Sequence, residues 1–81
     1  MNPKDTSEMQ QRPDPMVVAG TIGATIRQTR KSLGLTQVQL AQLANLSDKT
    51  VHDLEHGTAT PSLKAALETL DVLGLRLEVT P

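Results

Sequence analysis

Between Gly34 and Gly57 the chain stops a helix and restarts it twice, and this punctuation constrains the fold more than any other feature. Gly34 suits the left-handed residue that closes a helix. Thr36 then reads as an N-cap with Gln39 three residues on, a capping box, with Leu35 and Leu40 at hydrophobic-staple positions. Leu40, Ala41, Leu43 and Ala44 carry a short helix to Asn45, the commonest substitute for Gly at such an end. The pattern restarts at once. Ser47 is an N-cap, Leu46 and Val51 form a second staple, and the next helix runs to about His56 before Gly57.

The flanks complete the outline. A first helix is expected from about Thr21 to Leu33, with Ile22, Ile26, Thr29 and Leu33 as its inward stripe. A fourth is expected to be capped by Thr60 with Pro61 at its first position, burying Leu63, Ala66, Leu67, Leu70 and Leu73 and ending at Gly74. After it, Leu75, Leu77 and Val79 alternate with Arg76, Glu78 and Thr80, the period of a half-buried strand. Residues 1–18 hold Pro3, Pro13 and Pro15 among polar residues without periodicity and read as a flexible arm. The organisation expected is therefore an arm over 1–18, a helical domain over 19–74 and a terminal strand over 75–81.

Composition narrows the function. A chain of 81 residues has room for one core. Phe, Trp and Tyr are absent, so the interior must be aliphatic and no ring platform exists for stacking single-stranded bases. Cysteine is absent too, which removes disulfides and thiolate metal sites and fits a reducing compartment. No stretch reaches the roughly 20 apolar residues of a membrane span, and Met1–Gln10 carries no signal-peptide run. A cytoplasmic, non-enzymatic domain without cofactor or metal is expected.

Two short capped helices joined through Asn45 and Leu46 must cross steeply, which is helix-turn-helix geometry. On the third helix, Asp48, Lys49, His52, Asp53 and His56 form one polar arc, while Thr50, Val51 and Leu54 fall on the other side. That arc suits base edges in a DNA major groove. Its alternative is an ordinary solvated face.

From about Ile22 to Leu73 the sequence resembles the Xre family of lambda-repressor-like helix-turn-helix regulators. The matching run is Ile26-Arg27-Gln28-Thr29-Arg30-Lys31-Ser32-Leu33-Gly34-Leu35-Thr36-Gln37. It continues with Leu40-Ala41, Ser47, Thr50-Val51, Leu54-Glu55-His56-Gly57 and Pro61-Ser62-Leu63. The resemblance implies an all-α, four-helix fold and sequence-specific binding to double-stranded DNA. The ending is similar to that of HipB-like antitoxins, in which a terminal strand pairs with its copy across a dimer. A lone strand would leave its backbone groups unpaired, so pairing about a two-fold axis through Leu75, Leu77 and Val79 follows on physical grounds as well.

Carried over position by position, the resemblance makes Gln37 a phosphate clamp or base reader and Thr36 the cap that offers helix amides to the same backbone. Ser47, Asp48, Lys49, Thr50, His52 and Asp53 fall on groove-facing positions, with Lys49 and His52 as donors to guanine and Asp48 or Asp53 as acceptors from cytosine. Arg27, Gln28 and Lys31 are candidate phosphate contacts. Arg30 and Glu55 match a structural pair between the first and third helices. The implied protein is a homodimeric repressor of a palindromic operator, acting on the nucleoid as antitoxin to a HipA-like Ser/Thr kinase. The alternatives are a stand-alone Xre-type regulator and a protein-interaction adaptor that no longer binds DNA.

Charge qualifies this expectation. Between Thr21 and Thr60, Arg27, Arg30, Lys31 and Lys49 face Asp48, Asp53 and Glu55, four against three, or +1. Single-subunit affinity should be modest and its salt dependence shallow. His52-Asp53-Leu54-Glu55-His56 also satisfies the H-x-x-E-H pattern of some zinc proteases. A third ligand and a cleft are lacking from the sequence pattern, so zinc catalysis is discounted, with adventitious metal binding by the two histidines as a lesser alternative.

Overall fold

The protein is described by a computed structural model covering residues 14–81. Among the described residues four helices make up the regular structure: α1 (Pro15–Ser32), α2 (Gln37–Ala44), α3 (Asp48–Glu55) and α4 (Leu63–Val72). α1 packs on α3, and α2 packs on both α3 and α4. The core is aliphatic, formed by Ile26, Leu40, Ala41, Val51, Leu54, Leu70 and Leu73. Burying one such Leu or Ile stabilises the fold by about 1.5–3 kcal/mol relative to leaving it exposed.

All four helices close in the same way. Gly34, Asn45, Gly57 and Gly74 take left-handed backbone conformations just past the helical turns. In each case the next residue's amide reaches back to a carbonyl five residues earlier: Leu35 to Arg30 (3.1 Å), Leu46 to Ala41 (2.8 Å), Thr58 to Asp53 (3.1 Å) and Leu75 to Leu70 (2.8 Å). Orphan carbonyls are thereby satisfied, and Leu35, Leu46 and Leu75 fold back onto the core. Asn45 holds φ 56° and ψ 46°, which a short polar side chain tolerates.

The helix starts differ from expectation in two places. α1 begins at Pro15, not Thr21, because Asp14 caps it (its carboxylate accepts from the Met16 amide at 2.7 Å) and Pro15 occupies the first position. A proline there costs no hydrogen bond. Residues 15–18 thus belong to a helix and not to the expected arm; residues 1–13 of that arm lie outside the described residues. α4 is capped by Ser62, whose hydroxyl accepts from the Ala65 amide at 3.0 Å, and not by Thr60. The Thr60 hydroxyl instead lies 3.0 Å from that of Thr58.

Inward faces shift accordingly. Leu33 caps the end of α1 and is exposed, as is Leu43 on α2. On α4, Leu63 and Leu67 are exposed, and the buried side runs through Ala65, Thr69, Leu70 and Leu73. Thr69 sits wholly inside because its hydroxyl donates to the Ala65 carbonyl at 2.8 Å. Residues 75–81 carry no strand, and among the described residues there is no sheet edge to pair with them. Leu75 is half-buried, while Leu77 and Val79 are exposed.

Glycine sets the seat of α3. A Cβ on Gly23 would overlap the carbonyl oxygens of Leu54 and Glu55, and one on Gly57 would meet the backbone of Gly20 at 2.6 Å. The backbone of α1 therefore lies directly against the C-terminal end of α3.

Candidate nucleic-acid interface

α3 has one face held and one face open. Val51, Leu54 and Glu55 are buried, and Asp48, Lys49, His52 and His56 are exposed. At its start, the Ser47 hydroxyl accepts from the Thr50 amide at 3.1 Å and lies 2.8 Å from the Thr50 hydroxyl. Thr50 is half-buried, as its position on the core side of the arc implied. Asp48 opens the first turn, where the helix dipole favours a negative charge.

Lys49 and Asp53 form an ion pair along the helix, Nζ to Oδ2 at 2.7 Å. The other carboxylate oxygen lies 3.6 Å from His52 Nδ1. The hydrogen bond from Lys49, aided by its charge and by His52, holds the Asp53 carboxyl below its usual range against the opposing effect of burial. His52 and His56 stack with ring centroids 4.0 Å apart.

α2 begins with the capping box complete: Gln39 N–H donates to the Thr36 hydroxyl at 3.1 Å and Thr36 N–H to the Gln39 side chain at 2.9 Å. The amides of Gln37 and Val38, first in the helix, have no carbonyl within it to bond. Gln37 is half-buried, and its Nε2 donates to Glu55 Oε1 at 3.2 Å.

Glu55 is the hub beneath this surface. Arg30 Nε donates to Oε2 at 2.6 Å and Nη2 to Oε1 at 3.0 Å, while Nη1 donates to the Leu35 carbonyl at 2.8 Å. Burial alone would raise the Glu55 pKa, but hydrogen bonds from Arg30 and Gln37 and the charges of Arg30 and Arg27 outweigh it and hold the carboxyl low. The same pairing, opposed by burial, lifts Arg30 above its ordinary value. Exposed Arg27, Gln28 and Lys31 border an open concavity with Ala24, and its floor includes Glu55.

The H-x-x-E-H reading fails on this geometry, since the Glu55 carboxylate is turned inward to Arg30, away from any metal at the two histidines. Among the described residues no group of three or more His, Asp or Glu is arranged to hold a metal, and no helix is long and apolar enough to cross a membrane.

Two links escaped the sequence reading. The Lys49–Asp53 pair is available from its four-residue spacing, and the groove-facing roles expected of both residues leave it out. The Gln37–Glu55 contact joins positions 18 apart and had no local signal.

Comparison with known proteins agrees with this architecture. The chain is 40% identical over 57 residues to an immunity repressor protein of Bacillus phage phi105, a match spanning 70% of this chain and 40% of the phage protein. It is 34% identical over 58 residues to an uncharacterised HTH-type transcriptional regulator, y4mF, of Sinorhizobium fredii, spanning 72% of this chain and 76% of that protein. A putative HTH-type transcriptional regulatory protein of Methanothermobacter thermautotrophicus is 33% identical over 58 residues, a region making up 19% of its length. The chain thus spans less than half the length of the phage and archaeal relatives. A family profile described as helix-turn-helix, HTH_3, matches residues 26–79. The chain belongs to the HTH_3 helix-turn-helix family.

Proposed function

We propose that this chain binds double-stranded DNA sequence-specifically and regulates transcription, as a repressor. The observation that carries this reading is α3, whose Val51, Leu54 and Glu55 are buried while Asp48, Lys49 and His52 stand open to solvent. A helix so held fits a major groove. Lys49 and His52 supply donors for guanine edges, Asp48 an acceptor for a cytosine amino group, and Ser47 and Thr50 short contacts at the helix start. Thr36, Gln37, Arg27, Gln28 and Lys31 serve the phosphates. The relatives whose names speak of repression and transcriptional regulation support the same reading.

A homodimer is part of the proposal. Leu77 and Val79 are exposed in the single chain, and a two-fold pairing of residues 75–79 covers them together with Leu75. Two half-sites about one helical turn apart follow from that symmetry. The finer reading, an antitoxin paired with a HipA-like kinase, rests on the likeness of this ending to HipB-like proteins, and co-purification of a kinase from the native host tests it.

The deciding experiment selects duplexes from a random pool with the purified chain and titrates the winners by fluorescence anisotropy. We expect a palindromic consensus, and a tenfold or greater affinity loss in K49A and H52A. Equal affinity for every duplex contradicts the proposal. Full affinity in both variants would show that Lys49 and His52 do not carry the recognition, and failure to select any duplex would return the chain to the class of protein-interaction adaptors.

A further inference from the structure

Lys49 and Asp53 are placed wrongly for helix stability. Lys49 sits in the first turn of α3, where the dipole disfavours a cation, and Asp53 near its end, where it disfavours an anion. An acid four residues before a base is the more stabilising order, and here the order is reversed. Yet the pair closes at 2.7 Å.

The two partners are also unequal. The Lys49 side chain is 83% exposed and that of Asp53 only 18%. The main chain at Asp53 is anchored, its carbonyl accepting from the Thr58 amide at 3.1 Å and the Thr58 hydroxyl at 3.2 Å, while the carboxylate itself is largely covered and has His52 3.6 Å from its second oxygen. The acid is the fixed member, and the lysine bends to it.

We propose that Asp53 is a positioning residue that determines specificity. Its carboxylate keeps the Lys49 ammonium on the face of α3, available to a base edge in the groove but withheld from phosphates. This rests on the DNA-binding reading above and deepens it. Phosphate contacts raise affinity for any sequence, whereas base contacts distinguish sequences. A lysine neutralised by a fixed neighbour adds little to random binding and contributes fully only where a guanine edge replaces that neighbour. Asp53 therefore does not read a base itself.

The test uses D53N, which keeps the side-chain shape and removes the charge, and D71N, which removes an equal charge from the exposed end of α4. Binding is measured by anisotropy on a duplex of random sequence and on the duplex selected by the wild-type chain, across a series of salt concentrations. D53N should bind the random duplex several-fold more tightly. Its salt slope should steepen by about 0.9 per subunit, an extra loss of roughly 3.5-fold between about 50 and 200 mM salt. The ratio of selected to random affinity should fall, D71N should change neither quantity, and D53N/K49Q should lose the gain. An unchanged slope in D53N, an equal shift in D71N, or a gain that survives K49Q would overturn the proposal. Failure of all variants to bind either duplex, with cooperative melting intact, would bring down the DNA-binding reading itself and this proposal with it.

Discussion

Arg30 and Glu55 stand 25 residues apart in the chain and meet in a two-point ion pair, with Nε to Oε2 at 2.6 Å and Nη2 to Oε1 at 3.0 Å. Their side chains are 9% and 0% exposed. The pair ties α1 to the end of α3, the Leu35 carbonyl ties it to the turn before α2, and Gln37 adds the start of α2. Removing one partner strands a buried charge, so Glu55→Ala should lower stability by about 3 kcal/mol in urea unfolding followed by circular dichroism. The R30M/E55L double variant, which strands no charge, should lose clearly less. Equal losses would show that the pair does not organise the fold.

Glu55 also sets an acid limit. Its carboxyl is held below the unfolded-state value of about 4.3. The stabilisation it supplies is therefore present above that pH and is lost as pH falls through the lower folded-state value. The stability difference between wild type and E55Q should be constant near neutrality and shrink below about pH 4. Asp53 titrates in the same direction, but its surface pair is screened and adds little. A difference that stays level down to strongly acid pH would contradict the assignment.

Gly23 is required by contact, not by backbone conformation. Gly23→Ala drives a methyl into the Leu54 and Glu55 carbonyls, and overpacking of this kind costs about 1–3 kcal/mol. Gly20→Ala, with open space at its own Cβ, should be neutral or mildly stabilising by helix propensity. Thermal melts of the two variants distinguish them, and a stable G23A would mean that α1 does not seat on α3 in this way.

Much of the fold was legible because it is written locally. Thr36 with Gln39, Ser47, Gly34, Asn45 and Gly57 each act within one turn of their own position, so their spacing sufficed. The errors arose where two local signals competed. Asp14-Pro15 is a cap and a first helical residue, but proline-rich polar surroundings made it look like an arm. Thr60-Pro61 resembled the same device, yet Ser62 takes the role, and the buried face of α4 moves to Ala65 and Thr69. At the candidate interface, periodicity found the open face of α3. It did not find the contact beneath that face, because Gln37 reaches Glu55 only through the tertiary crossing of α2 and α3.

The cap assignment has its own test. Ser62→Ala should cost about 1 kcal/mol, the typical loss of an N-cap hydroxyl, and Thr60→Ala only a few tenths. Urea midpoints of the two variants give the ranking directly, and a larger loss in T60A would restore the earlier start.

Nuclear magnetic resonance of the isotope-labelled chain, titrated with the duplex it selects, tests the role of α3 most directly. The largest amide shifts should fall on Ser47–Lys49 and His52, with Gln37, Arg27 and Lys31 following, and the middle of α4 should stay still. Shifts centred on α4 with α3 unmoved would show that the open face of α3 is not the surface that meets DNA.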